Sequence, residues 1–220
     1  MRKYVITGAP GCGKGTQATL LAEQYDLTHI SVGDMFRWHI QTRTKLAARI
    51  KRIVNAGRLV PDEIVDDVVR TRLDEHDWNY GFVLDGFPRN RVQAEFFLES
   101  YDINAVLLLH VTDEVVMQRV LARRLCGECG LDYNLIQHRP EVENVCDVCS
   151  GKLVARPDDF EEAIRSRIAD YHSQTEPILE LFSQKELVIE IDGMQTIPAV
   201  NEEVRYKLGL PPVVAAAPAG

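Results

Sequence analysis

Residues 3–16, KYVITGAPGCGKGT, place a strand, a glycine-rich loop and the start of a helix in direct succession. The β-branched first half of this stretch predicts a strand, and helical periodicity follows over residues 17–24. Gly8, Gly13 and Lys14 have the spacing of a Walker A motif, in which backbone N–H groups surround phosphate oxygens and the lysine reaches the far phosphates. The positive end of the following helix points to the same anion. A glycine-rich turn with an incidental lysine is the alternative, but it does not explain why all three elements occur together.

Two residues of this loop, Gly15 and Cys12, bear on its chemistry. Gly15 occupies the position where the general motif has Ser or Thr, and the hydroxyl group comes one residue later, at Thr16. Direct ligation of magnesium by that hydroxyl is therefore not predicted. Cys12 lies at a helix N-terminus, where thiols can be reactive, but we interpret it as a small residue that fills a tight loop.

Length and charge exclude several classes of protein. A chain of 220 residues can bury a substantial core. No run approaches the roughly 18 apolar residues of a membrane span, and no apolar signal segment is present, so we expect a cytoplasmic protein with no membrane partner. The net charge of −8 argues against a general nucleic-acid binder, which needs a basic face. Any anionic ligand must therefore be held by local arginines.

The order of elements predicts an α/β fold. Strand-like apolar runs recur at residues 4–7, 81–84, 105–111 and 187–191, and helical periodicity lies between them. Strands that alternate with helices favour a parallel sheet covered on both faces.

Three segments interrupt this order. Residues 31–60 are basic and helical, without a recognisable strand, and we interpret them as an inserted flap. Residues 126–159 contain two cysteine pairs among turn-forming residues, which indicates a small metal-stapled insert. Residues 210–220 are rich in Pro and Ala and are predicted to be a disordered tail.

A carboxylate follows the second apolar run directly. Asp85 ends the strand-like sequence 81–85, where a phosphate-loop enzyme holds magnesium or its waters beside the phosphates. The alternative is that Asp85 caps the helix that starts near Asn90. The neighbouring Walker A motif favours the magnesium role.

Arginines are concentrated in two places. We expect a helix over residues 115–124 in which Arg119 and Arg123 share a face. A second set surrounds the sequence 157–159 and includes Arg156 and Arg167. A planar guanidinium suits phosphate and stays charged when enclosed. Two further arginines, Arg124 and Arg165, we interpret as exposed and solvated or paired with Glu.

Four of the five cysteines form two C-x-x-C pairs separated by sixteen residues. The pattern of Cys126, Cys129, Cys146 and Cys149 is typical of a tetrahedral four-cysteine zinc site, which leaves no open coordination position and is therefore structural. Four reduced, buried thiols are the alternative, but no core periodicity explains the pairing.

These motifs together identify the chain, over nearly its whole length to about residue 200, as similar to the adenylate kinases of the zinc-containing, long-lid type. The resemblance rests on the phosphate loop, the cysteine-bearing insert and four further segments, which are residues 33–37, 57–60, 85–89 with Gln93, and 156–167. It implies a five-stranded parallel sheet of the P-loop NTPase type, flanked by helices. The implied segments are a core (1–30, 61–124 and 161–209), a monophosphate-binding flap (31–60) and a zinc-bearing lid (125–160). It also implies a monomer that transfers a phosphoryl group reversibly from Mg-ATP to AMP, giving two ADP.

The resemblance also implies roles for individual residues. The residues implied for ATP are Gly11, Cys12, Gly13, Lys14, Gly15, Thr16, Arg119, Arg123, Asp132, Tyr133 and Gln195. The residues implied for AMP are Val32, Arg37, Arg58, Leu59, Val60, Gly86, Phe87, Pro88, Arg89, Gln93, Arg156 and Arg167. The catalytic set is Lys14, Asp85, Arg89, Arg123, Arg156 and Arg167.

The flap departs from the family pattern. The family usually has Thr where this chain has Val32, and Gly where it has Arg43 and Ala47. A kinase of another nucleoside monophosphate (UMP, CMP or GMP) on the same fold therefore stays open as an alternative. A nucleotide-binding zinc module without turnover is more distant, because it has no need for both Arg156 and Arg167 beside a complete phosphate loop.

Overall fold

The computed structural model describes residues 2–77, 80–185 and 187–213. The strands are β1 (Lys3–Gly8), β2 (Thr28–Ser31), β3 (Phe82–Asp85), β4 (Ala105–His110), β5 (Arg123–Cys126), β6 (Asp132–Asn134), β7 (Leu153–Val154) and β8 (Val188–Asp192). The α-helices are α1 (Lys14–Tyr25), α2 (Val32–Gln41), α3 (Lys45–Asn55), α4 (Asp62–Asp74), α5 (Arg91–Ser100), α6 (Asp113–Leu121), α7 (Glu161–Asp170), α8 (Leu179–Ser183) and α9 (Ile197–Lys207). A π-helical turn, Tyr171–Thr175, and a 3-10 turn, Glu176–Ile178, connect α7 to α8.

The main sheet has five parallel strands in the order β2-β3-β1-β4-β8, which confirms the predicted fold class. A parallel sheet is covered on both faces, and alternate residues of a strand face opposite sides. Thus Val5 packs in one core cluster, with Phe82 and Phe97, whereas Tyr4 and Ile6 pack in another on α1 and α9. Strand β4 is buried at five of its six positions, as its unbroken apolar sequence predicts.

The carboxyl ends of parallel strands meet at one edge of a sheet. That edge brings together the ends of β1, β2 and β3, which are Gly8, Ser31 and Asp85. The phosphate loop leaves β1 here, and the flap begins here with α2, whose N-cap Ser31 accepts a hydrogen bond from the backbone of Asp34 at 3.3 Å. The topology therefore gathers the sequence motifs at a single place.

The helix predicted over residues 115–124 begins and ends earlier in the structure, where α6 spans Asp113–Leu121. Arg123 is instead the first residue of β5, where it pairs in antiparallel register with Asn134. Strands β6, β5 and β7 form a separate three-stranded sheet in the lid. This long-range pairing overrides the local helical period, so the expectation that Arg119 and Arg123 share a helix face is wrong.

The C-terminal segment is held against the core at its start. Leu210 packs beside α9, and the carbonyl of Pro211 accepts a hydrogen bond from the Tyr25 hydroxyl at 2.7 Å. The rest of the predicted tail, from residue 214, lies outside the described residues. Within the described ranges, no helix combines the length and apolar content needed to cross a membrane.

Candidate active site

The phosphate loop has the backbone geometry that its glycines predict. Gly11 has φ 76°, and a Cβ there would lie 2.4 Å from a methyl group of Val120, so only glycine fits. Gly13, with φ 102°, stands immediately before α1 and directs the chain into the helix. The Lys14 ammonium group donates to the carbonyls of Ala9 at 3.1 Å and Gly8 at 3.4 Å. The lysine side chain is thus held against the start of the loop.

Arg119 anchors the phosphate loop from behind. Its guanidinium donates to the carbonyl of Cys12 at 3.3 Å and to that of Gly193 at 2.9 Å. Burial lowers the pKa of Arg119, and the thiol of Cys12 and Asp192 act in the opposite direction. Gln195, also predicted to meet ATP, donates to the carbonyl of Asp192 at 3.3 Å and to Glu203 at 2.6 Å. In these contacts Arg119 ties the loop to the turn after β8, and the ATP roles of both residues stay predictions.

Asp85 lies beside the phosphate loop as a nearly buried carboxylate, 8% exposed. One carboxylate oxygen is 3.9 Å from the His29 imidazole. The same oxygen would lie 3.4 Å from a Cβ atom if Gly15 had one, so it is next to the phosphate loop. The other carboxylate oxygen is buried without a hydrogen-bond partner. Asn90, and not Asp85, caps α5 by accepting from the backbone of Gln93 at 3.0 Å. The capping alternative for Asp85 is therefore wrong, and an unpartnered anionic oxygen next to the loop fits a cation or its water.

One cleft joins the phosphate loop to the flap and the lid. Thirteen of the residues implied for nucleotides line it, and they are Gly11, Lys14, Val32, Arg37, Arg58, Leu59, Val60, Gly86, Pro88, Arg89, Gln93, Arg123 and Arg167. Phe87 does not, because its ring is buried in the core against Phe97. Tyr171 and Thr175 also line the cleft, and the Thr175 hydroxyl donates to the carbonyl of Arg89 at 2.8 Å. The sequence carries no signal for these two, because they reach the cleft through a π-helical turn.

Positive charge is concentrated in this cleft. Arg89 donates to the Gly86 carbonyl at 2.8 Å. Burial lowers the pKa of the Arg89 guanidinium, Asp85 raises it, and the like charges of Arg167 and Arg37 lower it further. Cations that disfavour one another are stabilised by an anion between them, so this part of the cleft suits a phosphate group.

Two arginines that flank the lid, Arg123 and Arg167, are paired with lid carboxylates. Arg123 forms two hydrogen bonds to Asp159, at 2.8 and 2.5 Å, and Arg167 contacts the same carboxylate at 3.4 Å and also Asp158. Burial acts to lower the pKa of Arg123, but the pair with Asp159 outweighs it and raises that pKa. Forked guanidinium–carboxylate pairs imitate guanidinium–phosphate geometry. In this structure the fork of Arg123 is therefore engaged by Asp159, whereas Arg167 is shared between Asp158 and Asp159.

Two lid residues predicted to meet ATP have other partners here. Asp132 accepts a hydrogen bond from Arg156 at 2.8 Å. Burial, with the nearby charges of Arg123 and Arg37, lowers the pKa of Arg156 to about 10, so this guanidinium remains charged at neutral pH. Tyr133 is 2% exposed, and its hydroxyl donates to the Cys146 sulfur at 3.5 Å. Its side chain thus belongs to the interior of the lid, and its ATP role stays a prediction.

The four paired cysteines converge in the lid. Their sulfur atoms all lie within 4.8 Å of one another, with Cys126 to Cys149 at 3.3 Å and Cys129 to Cys146 at 3.6 Å, and none forms a disulfide. Four thiolates about 2.3 Å from one ion stand roughly 3.8 Å apart, so the spacing fits tetrahedral coordination. The hydrogen bond from Tyr133 lowers the pKa of the Cys146 thiol to about 6, which favours the thiolate that a metal needs. The cluster is a candidate metal site, and its ligands are those predicted from the sequence.

A parallel sheet with a phosphate loop at its carboxyl edge and an arginine-rich cleft define a P-loop nucleotide-binding protein. The family profile for adenylate kinase matches residues 6–187. Curated relatives include the adenylate kinases of Clostridium tetani, 42% identical over 93% of this chain and 97% of its own length, and of Acetivibrio thermocellus, 40% identical over 92% and 95%. A third, from Caldicellulosiruptor bescii, is 40% identical over 94% and 99%. The chain belongs to the adenylate kinase family.

The cysteine cluster gives a test that does not depend on activity. Replacing one ligand, as in Cys146→Ala, should release the metal and loosen the lid, because structural metal supplies folding free energy directly. Elemental analysis of protein prepared without chelator should give one metal per chain for the parent and much less than one for the variant. Cys12→Ala, which removes the thiol outside the cluster, should retain the metal. Parent protein without metal would contradict the assignment.

Proposed function

We propose that this protein catalyses reversible transfer of the terminal phosphoryl group of Mg-ATP to AMP, with two ADP as products. The proposal is supported by one cleft that is lined both by residues of the phosphate loop and by arginines of the flap. Gly11 and Lys14 lie on one wall, and Arg37 and Arg58 lie on the other. A donor and an acceptor nucleotide bound there would bring their phosphates together, which supports direct transfer.

The acceptor needs little chemical activation. A phosphate monoester has a second pKa of about 6 and is mostly dianionic at neutral pH, so no general base is required. What remains is alignment and neutralisation of charge, which Lys14 and the arginines can supply. Lys14 would follow the transferred group, and Arg89 would hold the acceptor phosphate.

The metal sites have different roles in this proposal. Asp85, with its unpartnered buried oxygen, would orient the water bound to Mg²⁺, and the ion supplies neutralisation of phosphate charge when bound with ATP. The four cysteines would hold Zn²⁺ as a structural centre, since four protein ligands leave no position for substrate. The zinc site would keep the small lid folded around Tyr133 and Leu153, which are buried with two of the cysteines.

Closure of the lid would exclude water, which otherwise competes with AMP as the acceptor. Arg123 and Arg167 would exchange contacts with Asp159 for contacts with phosphate, whose oxygens present a similar planar pair to the fork. We also propose that the protein acts as a monomer in the cytoplasm, on ATP, AMP and ADP and without nucleic-acid or membrane partners.

Initial rates with Mg-ATP and each of AMP, GMP, CMP and UMP test the proposal directly. AMP should have the highest kcat/KM, with ADP as the only product nucleotide. A higher kcat/KM for UMP, CMP or GMP would favour the other monophosphate kinases of this fold. No turnover with any acceptor would favour the non-catalytic module.

Lys14→Ala should lower kcat by about 100-fold or more while the protein stays folded, because a loop lysine at bound phosphate stabilises charge in the transition state. Steady-state rates at saturating ATP and AMP measure this, and thermal unfolding checks the fold. Lys185→Ala, which removes an exposed lysine elsewhere, is the matched control. Turnover of the Lys14 variant within threefold of the parent would contradict the role.

Arg167→Ala should lower kcat by about tenfold or more and change the Kd of ATP little, as expected for contacts completed in the closed state. Arg167→Lys, which keeps a charge near Asp158, separates loss of the fork from loss of folding. Arg165→Ala is the matched control, because Arg165 lies on the same helix and pairs with Glu161 at the surface. An unchanged kcat with a weakened ATP Kd would make Arg167 a ground-state binder.

A further inference from the structure

The side chain of Gln93 lies in the cleft wall with both ends of its amide already engaged. It is 2% exposed and lines the cleft beside Val60 and Arg89. Its oxygen accepts from the backbone N–H of Arg89 at 2.8 Å, and its nitrogen donates to a carboxylate oxygen of Asp62 at 2.7 Å. Two fixed neighbours therefore hold the amide from opposite ends.

These neighbours determine which end of the amide is oxygen and which is nitrogen. A backbone N–H can only donate, and a carboxylate can only accept. A rotated amide would place its N–H groups against the Arg89 N–H and its oxygen against the Asp62 carboxylate, so both contacts would become repulsive. The orientation thus follows from the chemistry of the partners and not only from the positions of the atoms.

Asp62 is the side chain that makes this arrangement possible. It is the first residue of α4, two residues after Val60, and the same carboxylate oxygen accepts from the Asn90 amide at 2.7 Å. Asn90 is the N-cap of α5, the helix that carries Gln93. One carboxylate oxygen therefore connects the end of the flap to the helix that presents the amide.

The fixed amide has a limited remaining capacity. Its nitrogen has two N–H groups and its oxygen has two lone pairs, so one donor and one acceptor stay free for a ligand in the cleft. Nucleobases differ at the exocyclic position that such an amide would meet. Adenine and cytosine carry an amino group, which donates, whereas guanine and uracil carry a keto oxygen, which accepts. A fixed amide presents its free acceptor and its free donor in a fixed order, which matches the amino group beside an unprotonated ring nitrogen in adenine and cytosine. Guanine and uracil carry the reverse order, a keto oxygen beside a ring N–H, which only a rotated amide would match.

We infer that Asp62 is a positioning residue for base selection: it holds the Gln93 amide in the orientation that accepts amino-bearing bases and rejects keto-bearing ones. The inference rests on the proposed function, because it requires the monophosphate to bind beside Gln93. Selection arises from the repulsive contact of the wrong base as much as from the attractive contact of the right one. Discrimination between adenine and cytosine, which both carry an amino group, then depends on how much space the apolar side chains of the cleft, such as Val32 and Val60, leave for the base and not on Asp62.

The test compares kcat/KM for AMP and GMP in the parent and three variants. Asp62→Ala removes the carboxylate and releases one end of the amide. Asp62→Asn keeps an acceptor oxygen of the same shape and serves as the conservative rescue. Glu63→Ala removes the adjacent exposed acidic residue from the first turn of α4, so it controls for charge at the helix N-terminus without touching Gln93.

Asp62→Ala should narrow the ratio of kcat/KM for AMP to that for GMP by about tenfold, the effect of one mispaired buried polar contact. The change should come mainly from a raised KM for AMP, with the KM for ATP unchanged. Asp62→Asn should retain most of the preference, and Glu63→Ala all of it.

Equal losses with AMP and GMP in Asp62→Ala would mean a structural role at the helix junction and would overturn the inference. A ratio within twofold of the parent would also overturn it. Failure of the proposed function is separate, because a parent protein that forms no ADP from AMP, or prefers a keto base, shows that failure before any variant is compared.

Discussion

The phosphates of two nucleotides repel one another, and they can meet only where fixed positive charge surrounds them. The fold supplies that charge at one edge of a parallel sheet, where the phosphate loop presents backbone N–H groups and Lys14. Arg37, Arg89 and Arg167 reach the same cleft from the flap, the core and the helix after the lid. Burial lowers the pKa of Arg89, and the arginine charges lower it further, so bound anions stabilise the site that holds them.

Without a nucleotide, ion pairs with two lid carboxylates neutralise the positive charge of the arginines that flank the lid. Asp158 and Asp159 hold Arg123 and Arg167 beside the cleft. The side chain of Asp159 is almost fully buried, and a buried charge without its partner is strongly unfavourable. These ion pairs hold the two arginines beside the cleft, and in the proposed mechanism substrate binding would exchange one anionic partner for another. A metal held by the four cysteines would add a further constraint, because the hydrophobic cluster of the lid consists of four buried residues, two of which are cysteines.

Local spacing in the sequence predicts part of this structure well. The phosphate loop and the four cysteines are defined by residues close to one another along the chain, and both have the predicted geometry. Strand β2 was not predicted, because its sequence, Thr28–Ser31, contains a single buried residue and no long apolar run. The helix predicted over residues 115–124 extends too far toward the C-terminus, because Arg123 pairs with Asn134 in the lid sheet and local periodicity does not describe such a contact.

The contacts that we propose for base selection could not be predicted from the sequence for the same reason. Asp62 and Gln93 are 31 residues apart, and nothing in either segment indicates that their side chains meet. For Tyr133 the resemblance implies a role that its contacts in the structure do not show. Its position in the family pattern implies ATP binding, whereas its hydroxyl donates to the Cys146 sulfur. In both cases the deciding interaction joins elements that only the folded chain brings together.

Direct transfer between two nucleotides in one cleft can be tested by following the transferred phosphoryl group. Enzyme in excess is mixed with AMP and Mg-ATP labelled at the terminal phosphate, and the products of a single turnover are separated. Direct transfer should give one labelled and one unlabelled ADP per ATP consumed, with no label on the protein and little inorganic phosphate. Label bound to the protein, or inorganic phosphate as the main labelled product, would contradict it.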